Sequence, residues 1–180
     1  MGLRLGVVRS LLDRCAREQA TLVGTPSADT LTGTSADDVI VGLAGDDLIR
    51  NGAGYDLICA GTGNTVQAGI GPDSVRSGPG DDTMDSGNGR GYVIAGFGDA
   101  VITTGDGIDS VDADIDCCSE FKPRGGDDVI ETGDRHDVVD AGYGDDVVHL
   151  GAGDDGVTDF GHGVGRIRTS IGDDTVPFYP

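Results

Sequence analysis

Aspartate is the residue type in this chain whose number and spacing could do chemistry. The 180 residues hold 32 acidic side chains, of which only three are Glu, and the formal net charge is −20. Aspartates recur at intervals of nine, as at Asp29, Asp38, Asp47 and Asp56. Carboxylates presented at a regular spacing provide the oxygen ligands that hard cations such as Ca²⁺ prefer. The spacing therefore raises the question of an array of cation sites.

The aspartates belong to a nonapeptide repeat that begins at Gly24. The chain reads GTPSADTLT, GTSADDVIV, GLAGDDLIR and NGAGYDLIC over 24–59, with the shared pattern x-G-x-G-x-D-x-U-x, in which U is apolar. We number its positions as slots 1 to 9. An acidic disordered chain would not keep slot 8 apolar in every unit. The slot-8 residues are Leu31, Ile40, Ile49, Ile58, Val66, Val75, Met84, Val93, Ile102, Val111, Phe121, Ile130, Val139, Val148, Val157, Ile167 and Val176.

Slot 6 is Asp in most units, and these side chains are the candidate metal ligands. Slot 5 also carries many aspartates, which we expect to be solvated turn residues because Asp is common in turns. The slot-5 aspartates are Asp37, Asp46, Asp81, Asp127, Asp145, Asp154 and Asp173. The candidate ligands in slot 6 are Asp29, Asp38, Asp47, Asp56, Asp73, Asp82, Asp109, Asp128, Asp137, Asp146, Asp155 and Asp174.

The repeat predicts an all-β solenoid. The G-x-G-x-D part is a turn, because Gly permits positive φ and close approach of backbones. The x-U-x part is a short strand with U facing inward. Two units make one 18-residue coil, and coils stack in parallel at about 4.8 Å. We therefore expect about eight coils around one ladder of Val, Ile and Leu.

Stacking brings slot-6 carboxylates of neighbouring coils together. Two carboxylates at about 5 Å repel each other by roughly 3 kcal/mol at an effective dielectric constant of 20. A cation between them reverses the sign, and carboxylates with turn carbonyls suit Ca²⁺ better than Mg²⁺. A turn-rich solenoid that carries Asp without metal is the alternative. The expected pairs are Asp29/Asp47, Asp38/Asp56, Asp56/Asp73, Asp109/Asp128, Asp128/Asp146, Asp137/Asp155 and Asp155/Asp174.

Three stretches resemble the hemolysin-type calcium-binding repeats of RTX proteins: GLAGDDLIRNGAGYDLICAG (42–61), SGPGDDTMDSG (77–87) and AGYGDDVVHLGAGDD (141–155). The resemblance covers about residues 24–176. It implies a right-handed parallel β-roll in which Ca²⁺ lies in the turns between coils, held by slot-6 carboxylates and turn carbonyls. It also implies a chain that is disordered without Ca²⁺ and folds on binding it, often after secretion.

Several units depart from this pattern. Slot 4 is Ser27, Ala36 or Arg135 instead of Gly, which makes Asp29, Asp38 and Asp137 weaker candidates. The aspartate of slot 6 is lost in several units, so we predict a calcium-poor centre, from about 60 to 105, between two calcium-rich ends. The losses are at Asn64/Thr65, Gly91, Ala100, Gly165 and around Cys118.

The register slips by single residues between Asp56 and Asp73, between Asp109 and Asp128, and at Phe160. Keeping the phase through the second slip predicts Phe121 in slot 8, whereas the alternative is a looped-out excursion over 114–124. Residues 112–120 resemble the start of an EF-hand loop, but Cys117 occupies the position that needs Gly. A bulged coil with an extra weak cation site is the other interpretation of this stretch.

Residues 1–23 lie outside the repeat and place Leu5, Val8, Leu12 and Cys15 on one helical face. We predict an amphipathic capping helix over 1–23 and the β-roll over 24–180, with a membrane-surface or partner-binding helix as the alternative. Charged residues interrupt this segment, so no Sec signal peptide is visible. The end DDTVPFYP carries no evident cap, which leaves cover by its own aromatics, by further residues or by end-to-end self-association open.

The sequence lacks the residues that other classes of function would require. The charge excludes a nucleic-acid-binding face, and no apolar run of about 20 residues predicts a membrane span. No catalytic motif is present. We expect Cys117 and Cys118 to be unpaired surface thiols, ahead of a soft-metal site or a strained disulfide. Cys15 and Cys59 complete no zinc motif, and the three histidines, His136, His149 and His162, occupy different slots.

The sequence therefore predicts an extracellular, non-catalytic module that binds calcium ions and folds with them. The protein partner, if there is one, is not encoded in any motif. A metal-independent spacer or adhesion surface is the first alternative, and a polysaccharide-lyase-like β-helix enzyme is the second.

Overall fold

The computed structural model describes residues 14–113, 125–158 and 165–176, and this part of the chain is all β. Its strands are short because each repeat leaves only three residues between turns. They are β1 Arg14–Cys15, β2 Glu18–Gln19, β3 Leu22–Val23, β4 Thr30–Thr32, β5 Val39–Val41, β6 Leu48–Ala53, β7 Leu57–Cys59, β8 Thr65–Ile70, β9 Ser74–Arg76, β10 Thr83–Asp85, β11 Tyr92–Ile94, β12 Val101–Thr103, β13 Ser110–Asp112, β14 Val129–Glu131, β15 Val138–Asp140, β16 Val147–His149, β17 Gly156–Thr158 and β18 Arg166–Arg168.

Strands β3 to β18 form two parallel sheets of eight strands each, and the chain alternates between them. One sheet contains the even-numbered strands β4 to β18 and the other contains the odd-numbered strands β3 to β17. Slot 8 pairs with slot 8 at each step, as Ile49 does with Val66 and Ile58 with Val75. The predicted parallel solenoid is therefore confirmed, with one ladder running through its centre.

The core is the slot-8 ladder together with small residues in slot 1. Ile40, Ile49, Ile58, Ile102 and Ile130 have no exposed surface at all. Alanines such as Ala60 and Ala68 fill slot 1, where the chain turns and the coil narrows. A single unit cannot bury its apolar side chain, so the stability of this core comes from stacking.

The turns depend on glycine at slots 2 and 4. Gly52 and Gly54 have φ values of +117° and +134°, in the region that disfavours residues with a Cβ. Leu43 adopts φ of +83° at slot 2, so one coil accepts the same turn with a bulky side chain.

No helix long and apolar enough to cross a membrane occurs in the described ranges.

At the second register slip, the two sheets do not contain the extra strand that the prediction of Phe121 in slot 8 requires. Ile102 pairs directly with Ile130, and Val111 pairs directly with Val139. No strand can lie between these partners, because parallel strands in one sheet are immediate neighbours. Phe121 itself, the EF-hand-like stretch from 114 onward, both adjacent cysteines and Phe160 lie outside the described residues.

The part of the N-terminal segment that is described is not helical. Arg14–Cys15 and Glu18–Gln19 form an antiparallel hairpin, and Leu22–Val23 already pairs with β5 as a strand of the solenoid. The turn of the hairpin uses Ala16 and Arg17 at positive φ. The rest of the predicted helix, 1–13, lies outside the described residues.

A disulfide between Cys15 and Cys59 holds the hairpin to strand β7. No motif predicts a bond between these two residues, which are 44 positions apart. Cys15 is fully buried. The bond therefore ties the N-terminal hairpin to the second coil of the solenoid.

We expect the double substitution Cys15→Ser/Cys59→Ser to lower the free energy of unfolding in calcium by up to about 4 kcal/mol, because the disulfide restricts the unfolded chain over a long loop. Urea titrations of the wild type and the variant measure the difference. Dithiothreitol should shift the wild-type midpoint by a similar amount, and an unchanged midpoint in both comparisons would contradict the assigned bond.

Candidate metal centre

The slot-6 positions form two columns, one leading into each sheet. The first column precedes the even-numbered strands and contains Asp29, Asp47, Asn64, Asp82, Ala100, Asp128, Asp146 and Gly165. The second column precedes the odd-numbered strands and contains Asp38, Asp56, Asp73, Gly91, Asp109, Asp137, Asp155 and Asp174. All the slot-6 aspartates except Asp29 and Asp174 are buried, whereas the slot-5 aspartates are exposed as expected.

Within each column, one carboxylate oxygen accepts a hydrogen bond from the coil before it. The backbone N–H of Asp29 donates to Oδ1 of Asp47 at 2.9 Å, and that of Asp38 donates to Oδ1 of Asp56 at 2.8 Å. The same bond joins Asp137 to Asp155 at 2.8 Å. Side chains of one coil therefore bind the backbone of its neighbour, which is why Asp, or the isosteric Asn64, recurs here.

On either side of residues 114–124, the slot-6 partners differ from the sequence prediction. Asp109 donates its N–H to Oδ1 of Asp137 at 2.8 Å, and Ala100 donates to Oδ1 of Asp128 at 2.7 Å. The expected pair Asp109/Asp128 is therefore wrong, because Asp109 precedes β13 and Asp128 precedes β14, and these strands lie in different sheets. The structure brings together the other six expected pairs.

The second oxygen, Oδ2, has no partner in many of these carboxylates. It is buried and accepts no hydrogen bond in Asp47, Asp56, Asp73 and Asp155. A buried carboxylate oxygen without a donor is costly to leave unsatisfied. A set of such oxygens, repeated from coil to coil, is the arrangement that a bound cation would satisfy.

Burial also changes the acidity of these groups. Loss of solvation raises the pKa of Asp73, Asp82 and Asp137 to about 6. The pKa values of Asp47, Asp56, Asp109 and Asp155 are raised for the same reason, against the effect of the N–H bonds. Neighbouring carboxylates, such as Asp56 beside Asp73, add to the effect. Without a counterion, burial of these carboxylates in their ionised form is therefore unfavourable.

The glycine in slot 1 shows that oxygen atoms converge inside the turn. A Cβ placed on Gly42 would lie 2.1 Å from the carbonyl oxygen of Ala60 and 2.6 Å from Oδ2 of Asp47. A Cβ on Gly24 would likewise meet the carbonyl oxygen of Gly42 at 2.5 Å. Carboxylate and carbonyl oxygens on neighbouring coils are the donor set that Ca²⁺ takes, so these residues fit a calcium ion.

A family model described as RTX calcium-binding nonapeptide repeat (4 copies) matches residues 23–58, 60–93 and 124–157, more than half of the chain. The chain belongs to this family. No curated protein and no solved structure matches the chain significantly. The fold and the family together make it a calcium-binding β-roll module.

A calcium ion in either slot-6 column would need backbone ligands as well as carboxylates. In the described part of the chain, no group of three or more His, Cys, Asp or Glu side chains is placed to hold a metal by itself. Neighbouring slot-6 carboxylates supply at most two ligands per turn, so carbonyl oxygens must complete a cation's shell. The geometry is consistent with the turn carbonyls that the resemblance implies.

Several slot-6 carboxylates have a side-chain donor that the sequence prediction missed, including Asp109 beside Thr104 and Asp137 beside Thr132. Thr25 and Thr34 donate through their backbone N–H and hydroxyl groups to Asp29 and Asp38, and the hydroxyl of Ser77 lies 2.5 Å from Oδ2 of Asp82. Burial opposes ionisation of Asp38, but the bonds from Thr34 and Thr21 lower its pKa. A hydroxyl in slot 1 or slot 2 of the RTX repeat is the signal that could have identified them.

The described histidines do not join the columns. Nδ1 of His136 lies 3.9 Å from Oδ2 of Asp154, and Nδ1 of His149 lies 3.5 Å from Oε1 of Glu131. Both contacts are on the outside of the solenoid, where such pairs contribute little. His162 lies outside the described residues.

We expect Gly42→Ala to destabilise the RTX module by about 1–3 kcal/mol, because the new methyl group would collide with a carbonyl oxygen of the next coil and with Asp47. Gly156→Ala is the matched control, since a Cβ there meets nothing within 4 Å. Thermal unfolding in calcium measures both. Equal effects of the two substitutions would contradict the packing described for the turn.

Proposed function

We propose that this chain is an extracellular, non-catalytic module that folds when Ca²⁺ binds between the slot-6 carboxylates of neighbouring coils. The proposed ligands are aspartates of the two columns whose Oδ2 is buried without a donor, such as Asp47, Asp56 and Asp73, together with carbonyl oxygens of the turns. Calcium supplies the positive charge that lets these carboxylates be buried as anions. The loss of Asp at Gly91 and Ala100 supports a calcium-poor centre between two calcium-binding ends.

The repeated buried and unpartnered Oδ2 carries this proposal. Each such oxygen opposes formation of the metal-free coil, and several together can exceed the stability of a small domain. The opposition is distributed along the stack, so it acts against the whole fold. Metal binding that removes it is therefore coupled to folding.

The Cys15–Cys59 disulfide supports an extracellular location, because such bonds form and persist in oxidising compartments. In this proposal the sites are of the weak kind, with dissociation constants of roughly 10⁻⁴–10⁻³ M, which extracellular calcium fills and cytosolic calcium does not. The module would then stay unfolded inside the cell and fold outside it.

The experiment is circular dichroism of the intact chain, first in EDTA and then with increasing CaCl₂, with MgCl₂ as the control. We expect little β structure in EDTA and a cooperative gain on addition of millimolar Ca²⁺, with a much weaker response to Mg²⁺. A chain that is fully β-folded in EDTA would reject calcium-coupled folding and favour the metal-independent spacer. Cleavage of polysaccharides by the folded chain would reject a non-catalytic role.

A further inference from the structure

The first coil, residues 24–41, closes its turns differently from the coils that follow. Slot 2 holds Thr25 and Thr34, where later units have glycines such as Gly52 and Gly61. Those two glycines have φ values of +117° and +113°, whereas neither threonine has a positive φ. The first coil therefore uses another turn conformation, with a hydroxyl group inside it.

Each of the two threonines donates two hydrogen bonds to one oxygen, Oδ2, of the carboxylate in its own turn. Oδ2 of Asp29 accepts from the N–H of Thr25 at 2.6 Å and from its hydroxyl at 2.8 Å. Oδ2 of Asp38 accepts the same pair of bonds from Thr34 at 2.7 and 2.8 Å. Each oxygen thus has two donors directed at it, which occupies the positions where a cation would bind.

The next coil lacks these donors. Oδ2 of Asp47 and Oδ2 of Asp56 are buried without a partner, and slot 2 of their units holds Leu43 and Gly52, which carry no hydroxyl. Neighbouring coils therefore contain two kinds of slot-6 aspartate. One kind is closed by hydroxyl and amide donors, and the other is open towards a ligand.

We propose that the first coil is a calcium-independent end of the β-roll, in which Asp29 and Asp38 are structural residues and not calcium ligands. This inference rests on the proposed calcium binding by the other slot-6 aspartates. Its physical basis is that a donor hydrogen and a cation compete for the same oxygen, and here the donors belong to the same turn. The first coil then needs no counterion to become buried.

Further contacts attach this coil to its surroundings. The hydroxyl of Thr21 donates to Oδ1 of Asp38 at 2.9 Å, so both oxygens of that carboxylate are occupied by protein groups. The hairpin beside it is bonded to the second coil through Cys15 and Cys59. This end therefore keeps its neighbours in register while calcium is absent, and the open coils can stack onto it when calcium arrives.

Calcium stoichiometry tests the assignment. Isothermal titration of the full chain with CaCl₂ should give the wild-type number of bound ions for Asp29→Asn/Asp38→Asn, and at least one ion fewer for the matched variant Asp47→Asn/Asp56→Asn. A loss of ions in the first variant as large as in the second would overturn the proposal. Absence of calcium binding by the wild type would instead reject the proposed function.

Hydrogen exchange supplies a second readout that does not depend on those variants. In EDTA, peptides from 24–41 should exchange more slowly than peptides from 42–59, the coil that contains Asp47 and Asp56. Thr25→Val/Thr34→Val should reduce that protection by about tenfold or more, since hydrogen bonds to charged groups are lost. The exposed Thr30→Val/Thr103→Val is the control. Equal exchange of the two regions in wild-type protein would overturn the proposal.

Discussion

Asp56→Asn/Asp73→Asn should stabilise the protein in EDTA and destabilise it in calcium. Both carboxylates have a buried Oδ2 without a partner, and the N–H of Asp56 donates to Oδ1 of Asp73 at 3.0 Å. Asparagine keeps the Oδ1 acceptor and has almost the same shape, so the ladder bond survives. The substitution removes the negative charge, and with it the repulsion between the two side chains, and it places an amide NH2 group where Oδ2 was, as in the native Asn64.

In calcium the same loss of charge removes ligands. A site that binds only the folded state adds about 2.7 kcal/mol when the free ion is at 100 times its dissociation constant. Losing one site between Asp56 and Asp73 should therefore lower the calcium-dependent part of the stability by about that amount. The opposite signs in the two buffers separate a cation ligand from an ordinary structural residue.

Urea unfolding in EDTA and in excess CaCl₂ measures both effects. The matched control is Asp46→Asn/Asp81→Asn, which removes the same charge from exposed slot-5 positions. It should shift both midpoints only slightly. A decrease in stability in both buffers for the slot-6 variant would mean that these aspartates act through hydrogen bonds alone.

Acid should promote folding of the metal-free protein. Burial raises the pKa of Asp73, Asp82 and Asp137 to about 6, whereas Asp in an unfolded chain has a pKa of about 3.9. The folded state therefore binds these protons more tightly than the unfolded state does. The stabilisation is complete below the unfolded pKa and is lost as the pH rises through the folded values. In EDTA, stability should rise from pH 7 to pH 4.

Calcium should reverse this dependence. Protons and calcium compete for the same carboxylates, so in excess CaCl₂ acidification from pH 7 to pH 4 should release ions and reduce stability. Circular dichroism across this pH range, in both buffers, measures the two curves. Curves that run in parallel would show that the titrating groups are not the calcium ligands.

The repeat predicted the solenoid because one apolar residue in nine, kept in phase, can be buried only by stacking. Ile49 and Ile58 point inward for the same reason that the pattern placed them in slot 8. The positions of the slot-6 carboxylates followed from the same phase. Local sequence was sufficient wherever the coil length stayed regular.

Three features could not be predicted from the spacing. Phe121 was placed in slot 8 because a one-residue slip is the smallest change that keeps the phase, but strand pairing is decided by burial across coils. The partner of Cys15 depends on how the hairpin lies against β7, which no local pattern encodes. The hydroxyls of Thr25 and Thr34 became significant only once their distances to Asp29 and Asp38 were known.

Ile102 pairs directly with Ile130, so the spacing between neighbouring coils does not depend on the number of residues that connect them. The N–H of Ala100 donates to Oδ1 of Asp128, as in the other slot-6 pairs, although 28 positions separate these two residues. The alignment of the slot-6 columns is therefore set by strand pairing across the stack and is independent of the number of residues that join one coil to the next.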